Sequence, residues 1–462
     1  MGVIFIVLVT RLSLNDSDGV AFLAVGVTLC ALIYAFDHVS GAHFNPAVTI
    51  GLMVTQKMRV PAGLLYIAVQ TLGGLTGGLL AYAIASPKND KPFIPTNGAG
   101  ASWAVEFLYA FALILVQQNA GAEKNAREPN SYFGIAVAFT VLSGAAATFG
   151  ISGACFNPAI GTGVDFAAIL TSGQTGLSNM WIYWTAPIVG ALAASAVKTY
   201  QNLPSHADEP GLPLSVPLTE ALGTFFIVLT ASLTTSLNAP LAVGAMVLGM
   251  VYMGDHVCGA DFNPAVTLGV ALRMGVPPRE WWKVVVTIFA QFVGAFAAAF
   301  TAYGIEGTVT LPNDGVQSIR GQSGAVVFEA IWTALLVYVV CAVMTPTYGD
   351  DDVAATHERQ GHSRSYQGLA IGFVIAGGIY AGGPLGGGSG GVFNPALGTA
   401  IVSVRAAFGQ SPTDAGGLWV YWVGPFAGSF LGAGLFSLLH FHTDPVVADY
   451  VDTDGDGEPS FY

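Results

Sequence analysis

The sequence predicts an all-α integral membrane protein, built from two tandem units that each contain six membrane spans and two short re-entrant half-helices. Three observations predict this fold: the composition, an internal duplication, and the motif FNPA, which occurs four times. Of the 462 residues, 53% are hydrophobic and only 9% are charged, whereas a soluble globular chain carries roughly 25% charged residues. The formal net charge of −13 argues against the Lys/Arg clusters that bind nucleic acid or anionic lipid.

The duplication is visible in two pairs of segments. DHVSGAHFNPAVT at Asp37–Thr49 returns as DHVCGADFNPAVT at Asp255–Thr267, and WIYWTAPIVGA at Trp181–Ala191 returns as WVYWVGPFAGS at Trp419–Ser429. The chain therefore divides into unit 1 (residues 1–198), a polar linker (199–216), unit 2 (217–442) and an acidic tail (443–462) that we expect to be disordered.

Each unit contains apolar stretches long enough to cross about 30 Å of hydrocarbon, which takes about 20 helical residues. Val20–Phe36 and Ala62–Ala85 are examples in unit 1, and Val286–Tyr303 and Leu418–Leu439 are examples in unit 2. Each half of a unit gives three spans and one short segment, an inverted repeat with interrupted helices that is common in transport proteins.

Six spans is an even number, so a short linker can join two units that face the same way. The termini and the linker are then predicted to be cytoplasmic. The positive-inside rule agrees, because this topology places most of the basic residues inside: Lys57, Arg59, Lys124, Arg127, Lys198, Arg273, Arg279, Lys283, Arg359 and Arg364.

Each FNPA motif predicts the start of a short helix. Asparagine is a good helix N-cap, and proline suits the first helical position. A helix that begins inside a membrane points its positive end at the bilayer interior, and irregular backbone at that depth must be buried or line a water-filled cavity. We therefore expect the short helices to be Pro46–Val54, Pro158–Ala168, Pro264–Arg273 and Pro395–Val404. Each unit should bring two motifs together at a pore constriction, formed by Asn45, Pro46, Ala47, Asn157, Pro158 and Ala159 in unit 1 and by Asn263, Pro264, Ala265, Asn394, Pro395 and Ala396 in unit 2.

These motifs resemble those of the major intrinsic protein family, the aquaporins and aquaglyceroporins. The resemblance rests on SGAHFNPAVT at Ser40–Thr49, on Gln70 and Gln291 in glycine-rich third spans, and on the WxYWxxP pattern at Trp181 and Trp419. It implies an aquaporin-like bundle of six spans and two half-helices around each pore, with four pores grouped about one axis. Since one chain holds two units, a homodimer would supply four pores.

The resemblance also implies a glutamate in the first span of each half, which braces the motif loops. Glu106, Glu220 and Glu329 match that position. Aligning Gly2 with Gly223 leaves unit 1 without a partner for Glu220, and with about half of a spanning helix. The first span of unit 1 is therefore expected to be truncated.

The narrow filter of that family carries an arginine after the second motif, a histidine in the fifth span and an aromatic in the second span. No such side chain stands here. The matching positions are Val25, Ala145, Ala154 and Ile160 in unit 1, and Val243, Gly382 (or Ile379, because GGPLGGGSG leaves the alignment open), Gly391 and Leu397 in unit 2. Pore lining, diameter and charge set selectivity, so an aliphatic filter predicts passage of glycerol, urea, ammonia or dissolved gas rather than of water alone.

The sequence thus predicts a passive channel for water and small neutral solutes, whose partners are the lipid bilayer and those solutes. The alternative is a structural or junctional membrane protein with closed pores, in which the phenylalanines of the motifs would plug the path. An enzyme is not expected, because the sequence offers no nucleophile–base pair, metal cluster or phosphate loop. No cofactor, metal or nucleic acid is predicted.

Overall fold

The regular structure of the described residues is helical throughout, which confirms the all-α prediction. The computed structural model describes residues 1–13, 21–84, 93–121, 131–172, 178–203, 212–234, 237–311, 321–344, 353–382, 389–410 and 414–440. The chain forms two compact units, one of Met1–Ala207 with Gly304–Gly307 and one of Asp208–Tyr303 with Thr308–Tyr462. The predicted acidic tail, 443–462, lies outside the described residues.

Unit 1 contains eight helices in the described residues, and two of them begin at the proline of an FNPA motif. They are α1 (Gly2–Ser13), α2 (Ala21–Ser40), α3 (Pro46–Val54), α4 (Val60–Ile84), α5 (Gly98–Ala120), α6 (Phe133–Ser152), α7 (Pro158–Ser172) and α8 (Met180–Gln201).

Unit 2 repeats this order. Its α-helices are α9 (Ser215–Leu233), α10 (Ala239–Cys258), α11 (Pro264–Arg273), α12 (Trp281–Glu306), α13 (Gln322–Met344), α14 (Val353–Gly382), α15 (Pro395–Ala407) and α16 (Val420–Leu439). The half-helices α3 and α11 have the predicted bounds. The other two, α7 and α15, run a few residues further than predicted, because no glycine or proline stops them before Gly173 and Gly409.

Ten helices of the described residues are long and apolar enough to cross a membrane: α2, α4, α5, α6, α8, α9, α10, the α12 segment, α13 and α16. The protein is therefore a multi-pass integral membrane protein. The first helix of unit 1 has only 12 residues, a length of about 18 Å at 1.5 Å per residue.

The spans pack through glycines that allow two backbones to touch. A β-carbon added at Gly74 of α4 would clash with the carbonyl oxygen of Ala159, and one at Gly78 would clash with that of Gly163, both in α7. In unit 2 a β-carbon at Gly294 would meet the carbonyl oxygen of Ala221 in the same way. Small residues serve this purpose in membranes because close packing, rather than a hydrophobic force, holds the helices together. These contacts seat the half-helix α7 against the third span of unit 1.

Candidate pore constrictions

All four FNPA motifs share an unusual backbone conformation at the phenylalanine. The φ angles of Phe44, Phe156, Phe262 and Phe393 are 49°, 49°, 50° and 53°. A residue with a β-carbon pays roughly 1–2 kcal/mol to adopt this left-handed region. The loop therefore needs outside contacts to hold it in this shape.

One set of contacts links the two loops of a unit to each other. In unit 1, Asn45 Nδ2 donates a hydrogen bond to the carbonyl oxygen of Phe156 at 2.9 Å, and Asn157 Nδ2 donates to that of Phe44 at 2.9 Å. Unit 2 repeats the exchange between Asn263 Nδ2 and the Phe393 oxygen at 2.9 Å, and between Asn394 Nδ2 and the Phe262 oxygen at 3.0 Å. We call these the crossed amide bonds. A side-chain amide has two N–H donors, so one N–H of each asparagine remains for another acceptor.

The oxygen of each asparagine caps the half-helix that follows. Asn45 Oδ1 accepts from the amide of Ala47 at 2.9 Å, and Asn157 Oδ1 accepts from that of Ala159 at 3.0 Å. The same bond is made by Asn263 and Asn394 in unit 2. Because the asparagine both caps its own helix and reaches the other loop, the positive N-terminal ends of the two half-helices meet.

One buried glutamate holds the second loop in each unit. Glu106 accepts hydrogen bonds from the amides of Cys155 at 2.8 Å and Phe156 at 2.5 Å. Glu329 accepts from the amides of Val392 at 2.9 Å and Phe393 at 2.6 Å. A serine that the sequence analysis did not single out, Ser152 in unit 1 and Ser389 in unit 2, also donates to the carboxylate. The sequence could have revealed this serine, since in both units it stands five residues before the motif asparagine.

The first loops of the two units are held differently. In unit 2, Glu220 accepts from the amides of Asp261 at 3.0 Å and Phe262 at 2.8 Å, and from Gln291 Nε2 at 2.9 Å. In unit 1, Gln70 stands where Gln291 does and donates to Thr49 Oγ1 at 3.0 Å. Among the described residues of unit 1, Thr49 Oγ1 in turn donates to the backbone oxygen of Asn45 at 3.1 Å.

The four phenylalanine rings are buried against glycines of the first and fifth spans. A β-carbon at Gly144 would lie 3.0 Å from Phe156 Cε2, and one at Gly378 would clash with Phe393. Gly2 and Gly223 stand against Phe44 and Phe262 in the same way. The sequence analysis aligned Gly2 with Gly223 but did not predict that they contact phenylalanines. It did not single out Gly144 and Gly378, although these two also occupy matching places in the two units. The rings are thus anchored within the helix bundle.

Each unit encloses a narrow cavity where its half-helices meet. Asn45, Asn157, Val25 and Ile160 line the unit 1 cavity, and Asn263, Asn394, Val243, Gly391 and Leu397 line that of unit 2. Each has a volume of about 40 Å³, comparable to the roughly 30 Å³ that one water molecule occupies in the liquid. Apart from the asparagines, most of the described wall is aliphatic.

The structure separates the predicted filter positions into two groups. Five of them line the cavities, as given above, whereas Ala145, Ala154 and Gly382 are not part of the described walls. Gly378 faces Phe393 as Gly144 faces Phe156, so the counterpart of Ala145 is Ile379. Ile379 does line the unit 2 cavity, and the ambiguous alignment is resolved in its favour rather than in favour of Gly382.

A wider vestibule adjoins the unit 1 cavity. Its volume is about 530 Å³, and it shares His43, Gln117 and Phe133 with the narrow cavity. Lys57 and Lys198 also border it. The unit 1 cavity therefore opens toward a polar space on the side where α3 ends.

Comparison with known proteins agrees with this geometry. The sequence profile described as "Major intrinsic protein" matches residues 2–198 and again residues 215–436. Aquaporin-4 of Dipodomys merriami is 29% identical over 187 residues, which are 39% of this chain and 56% of that protein. Probable aquaporin NIP4-2 of Arabidopsis thaliana is 29% identical over 242 residues, 50% of this chain and 76% of that protein. Probable aquaporin PIP2-6 of Oryza sativa subsp. japonica is 30% identical over 191 residues, which are 39% of this chain and 66% of that protein.

The match to aquaporin-4 spans little more than half the length of that relative. The family profile, in contrast, matches twice, once in each unit, and the two matches together cover most of this chain. Each copy carries two Asn-Pro-Ala loops joined by crossed amide bonds. The chain therefore belongs to the major intrinsic protein family, as a tandem duplication of two units.

Proposed function

We propose that each unit forms a passive pore through which water and small uncharged solutes cross a membrane down their gradients. The observation that carries this proposal is the cavity between two half-helix N-termini, lined by a pair of asparagines and otherwise largely by aliphatic side chains. The remaining amide N–H of each asparagine supplies a donor to a polar solute. The two positive helix ends oppose cations.

The lining favours solutes other than water alone. The positions that carry arginine and histidine in the usual filter of the family are aliphatic here, and Ile160 and Leu397 line the cavities. The walls are largely aliphatic, with His43 in unit 1 and Asp261 in unit 2 among the described lining residues. A largely aliphatic wall binds water weakly, so a less hydrated molecule competes better for the cavity. We therefore include glycerol, urea, ammonia and dissolved gas among the proposed permeants.

The assembly and orientation follow from the same proposal. Because one chain has two units, we propose a homodimer that groups four pores. We also propose that the termini and linker are cytoplasmic, since the positive-inside rule then puts most of the basic residues inside. Native mass spectrometry of the detergent-solubilised protein should give twice the chain mass of 47.7 kDa. A mass that corresponds to one chain would contradict the dimer without touching the pore proposal.

Stopped-flow permeability of proteoliposomes tests the channel. Vesicles that contain the protein should respond faster than empty vesicles to sucrose, glycerol and urea gradients. Replacing Asn45, Asn157, Asn263 and Asn394 with alanine should abolish the increase, because both the donors and the crossed amide bonds are lost. Asn97→Ala is the control, since that exposed side chain makes no capping hydrogen bond.

The alternative function is a structural membrane protein with closed pores. Phe44, Phe156 and Phe262 are among the lining residues of the cavities. Against this alternative, their rings pack on glycines of the first and fifth spans, and each unit keeps a cavity of about 40 Å³. If folded protein gave no flux of water or of any solute, the structural function would replace the channel.

A further inference from the structure

The two pores of one chain do not have the same wall. Most positions that line the unit 1 cavity have an aliphatic counterpart of similar size in unit 2, as Leu113 has in Leu336. The walls differ in polar groups at two places, and one of them pairs His43 with Asp261. The other is in the fourth span.

Aligning Glu106 with Glu329 pairs Gln117 of α5 with Val340 of α13. Both line their cavities. The unit 1 pore therefore has an amide at the position where the unit 2 pore has an isopropyl group.

The amide of Gln117 is buried and lacks a partner for its oxygen. Its side chain is only 6% exposed, and Oε1 has no hydrogen-bond partner among the described residues. A buried amide oxygen without a partner is destabilising, because it has lost the hydrogen bonds that water would make to it. This destabilisation is offset if a solute that passes through the pore donates a hydrogen bond to the amide oxygen.

The neighbourhood of Gln117 suits a small molecule with hydrogen-bonding groups. Gln117 lines both the narrow cavity and the vestibule, and so do His43 and Phe133. The amide therefore lies at the junction of the two, where a solute must exchange the water of the vestibule for the largely aliphatic cavity. A side chain that can accept one hydrogen bond and donate another reduces the desolvation penalty of that step.

We propose that Gln117 is a solute-selecting residue of the unit 1 pore, which favours small neutral solutes that carry N–H donors, and that the unit 2 pore, with Val340, lacks this preference. Urea is the probe for this class, since it offers N–H donors to Oε1 and a carbonyl acceptor to Nε2. The inference rests on the proposed channel function and adds that the two pores of one chain differ in selectivity.

The test needs each pore by itself. Leu397 lines the unit 2 cavity and Ile160 lines that of unit 1. We expect Leu397→Trp to block the unit 2 pore and leave the unit 1 pore open, and Ile160→Trp to block the unit 1 pore and leave the unit 2 pore open. In the Leu397→Trp chain, Gln117→Met keeps the length of the side chain and removes its polar atoms. The ratio of urea to water permeability should fall about three- to tenfold, the value of one net hydrogen bond.

The reciprocal change and a control complete the design. In the Ile160→Trp chain, Val340→Gln should raise the same ratio by a similar factor. Asn97→Ala, at an exposed position that is not part of the described cavity wall, should leave it unchanged in the Leu397→Trp chain. Circular dichroism and gel filtration establish that each variant is folded.

The outcomes separate the two proposals. If water passes through both single-pore chains and neither Gln117→Met nor Val340→Gln alters the ratio, the selecting role of Gln117 is wrong and the channel stands. If folded protein conducts neither water nor urea, the channel function fails and this inference fails with it.

Discussion

At the scale of single residues, the constriction depends on a left-handed backbone held by polar contacts. The strain recurs three residues before each motif asparagine, at Ala42, Ala154 and Ala260 with φ of 47°, 55° and 54°, and at Gly391 with φ of 72°. Only the last of these positions has the residue that accepts such a φ without cost. The loops are therefore kept in shape against a local preference of the chain.

Replacing Ala260 with glycine, as found at Gly391, should raise the free energy of unfolding by about 0.5 kcal/mol. The relieved strain, roughly 1–2 kcal/mol, exceeds the entropy cost of glycine, roughly 0.5–1 kcal/mol. Thermal unfolding in detergent measures the difference. Ala271→Gly, in the half-helix α11, should instead destabilise by about 1 kcal/mol or more, and equal effects of the two changes would contradict the argument.

Replacing Glu329 with alanine should lower the free energy of unfolding by several kcal/mol. It leaves the buried amides of Val392 and Phe393 without an acceptor, at roughly 1–3 kcal/mol each. Glu306→Ala, at an exposed position, is the control. A melting temperature of Glu329→Ala equal to that of the control would show that the loop holds its shape without the carboxylate.

The sequence predicted the residues of the constriction better than their partners. The repeated Asn-Pro-Ala motif requires a capped helix, and four such helices are present. The acceptors of the crossed amide bonds could not be predicted, because they are backbone carbonyls far away in sequence. The choice between Ile379 and Gly382 also needed the structure, because a glycine-rich segment can be aligned in several registers. The contact of the Phe393 ring with Gly378 selects the register that pairs Ala145 with Ile379.

At the scale of helices, packing depends on glycines that admit a neighbouring backbone. The contact of α4 with α7 through Gly74 and Gly78 fixes where the half-helix begins. The hydrophobic pattern predicted the spans α2 and α4 but not which faces touch, because a span that is apolar all round carries no directional signal.

Gly74→Ala should destabilise the protein by about 1–3 kcal/mol, or more if the backbone cannot shift, because the added methyl group meets the carbonyl of Ala159. Unfolding in detergent measures this change. Gly150→Ala in α6 is a matched control, since a β-carbon there has no neighbour within 4 Å among the described residues. It should be neutral or slightly stabilising. An unaltered stability of Gly74→Ala would contradict the close approach.

At the scale of the whole molecule, the duplicated units predict additive transport. Ile160→Trp and Leu397→Trp should each remove about half of the water permeability of proteoliposomes, and the double variant should remove nearly all of it, since each indole fills one cavity. Reconstituted amounts are matched by quantitative gel. If one single variant removed all of the permeability, only one unit would conduct.

The crossed amide bonds also bear on how the protein is made. Their partners are separated by 111 and 113 residues in unit 1 and by 130 and 132 residues in unit 2. At a synthesis rate of about 5–20 residues per second, roughly 5 to 25 seconds pass between the emergence of the first loop of a unit and that of the second. During that interval the first asparagine and the carbonyl of its phenylalanine lack their final partners. A nascent unit therefore has an unfinished loop that the membrane insertion machinery must shelter until the second loop arrives.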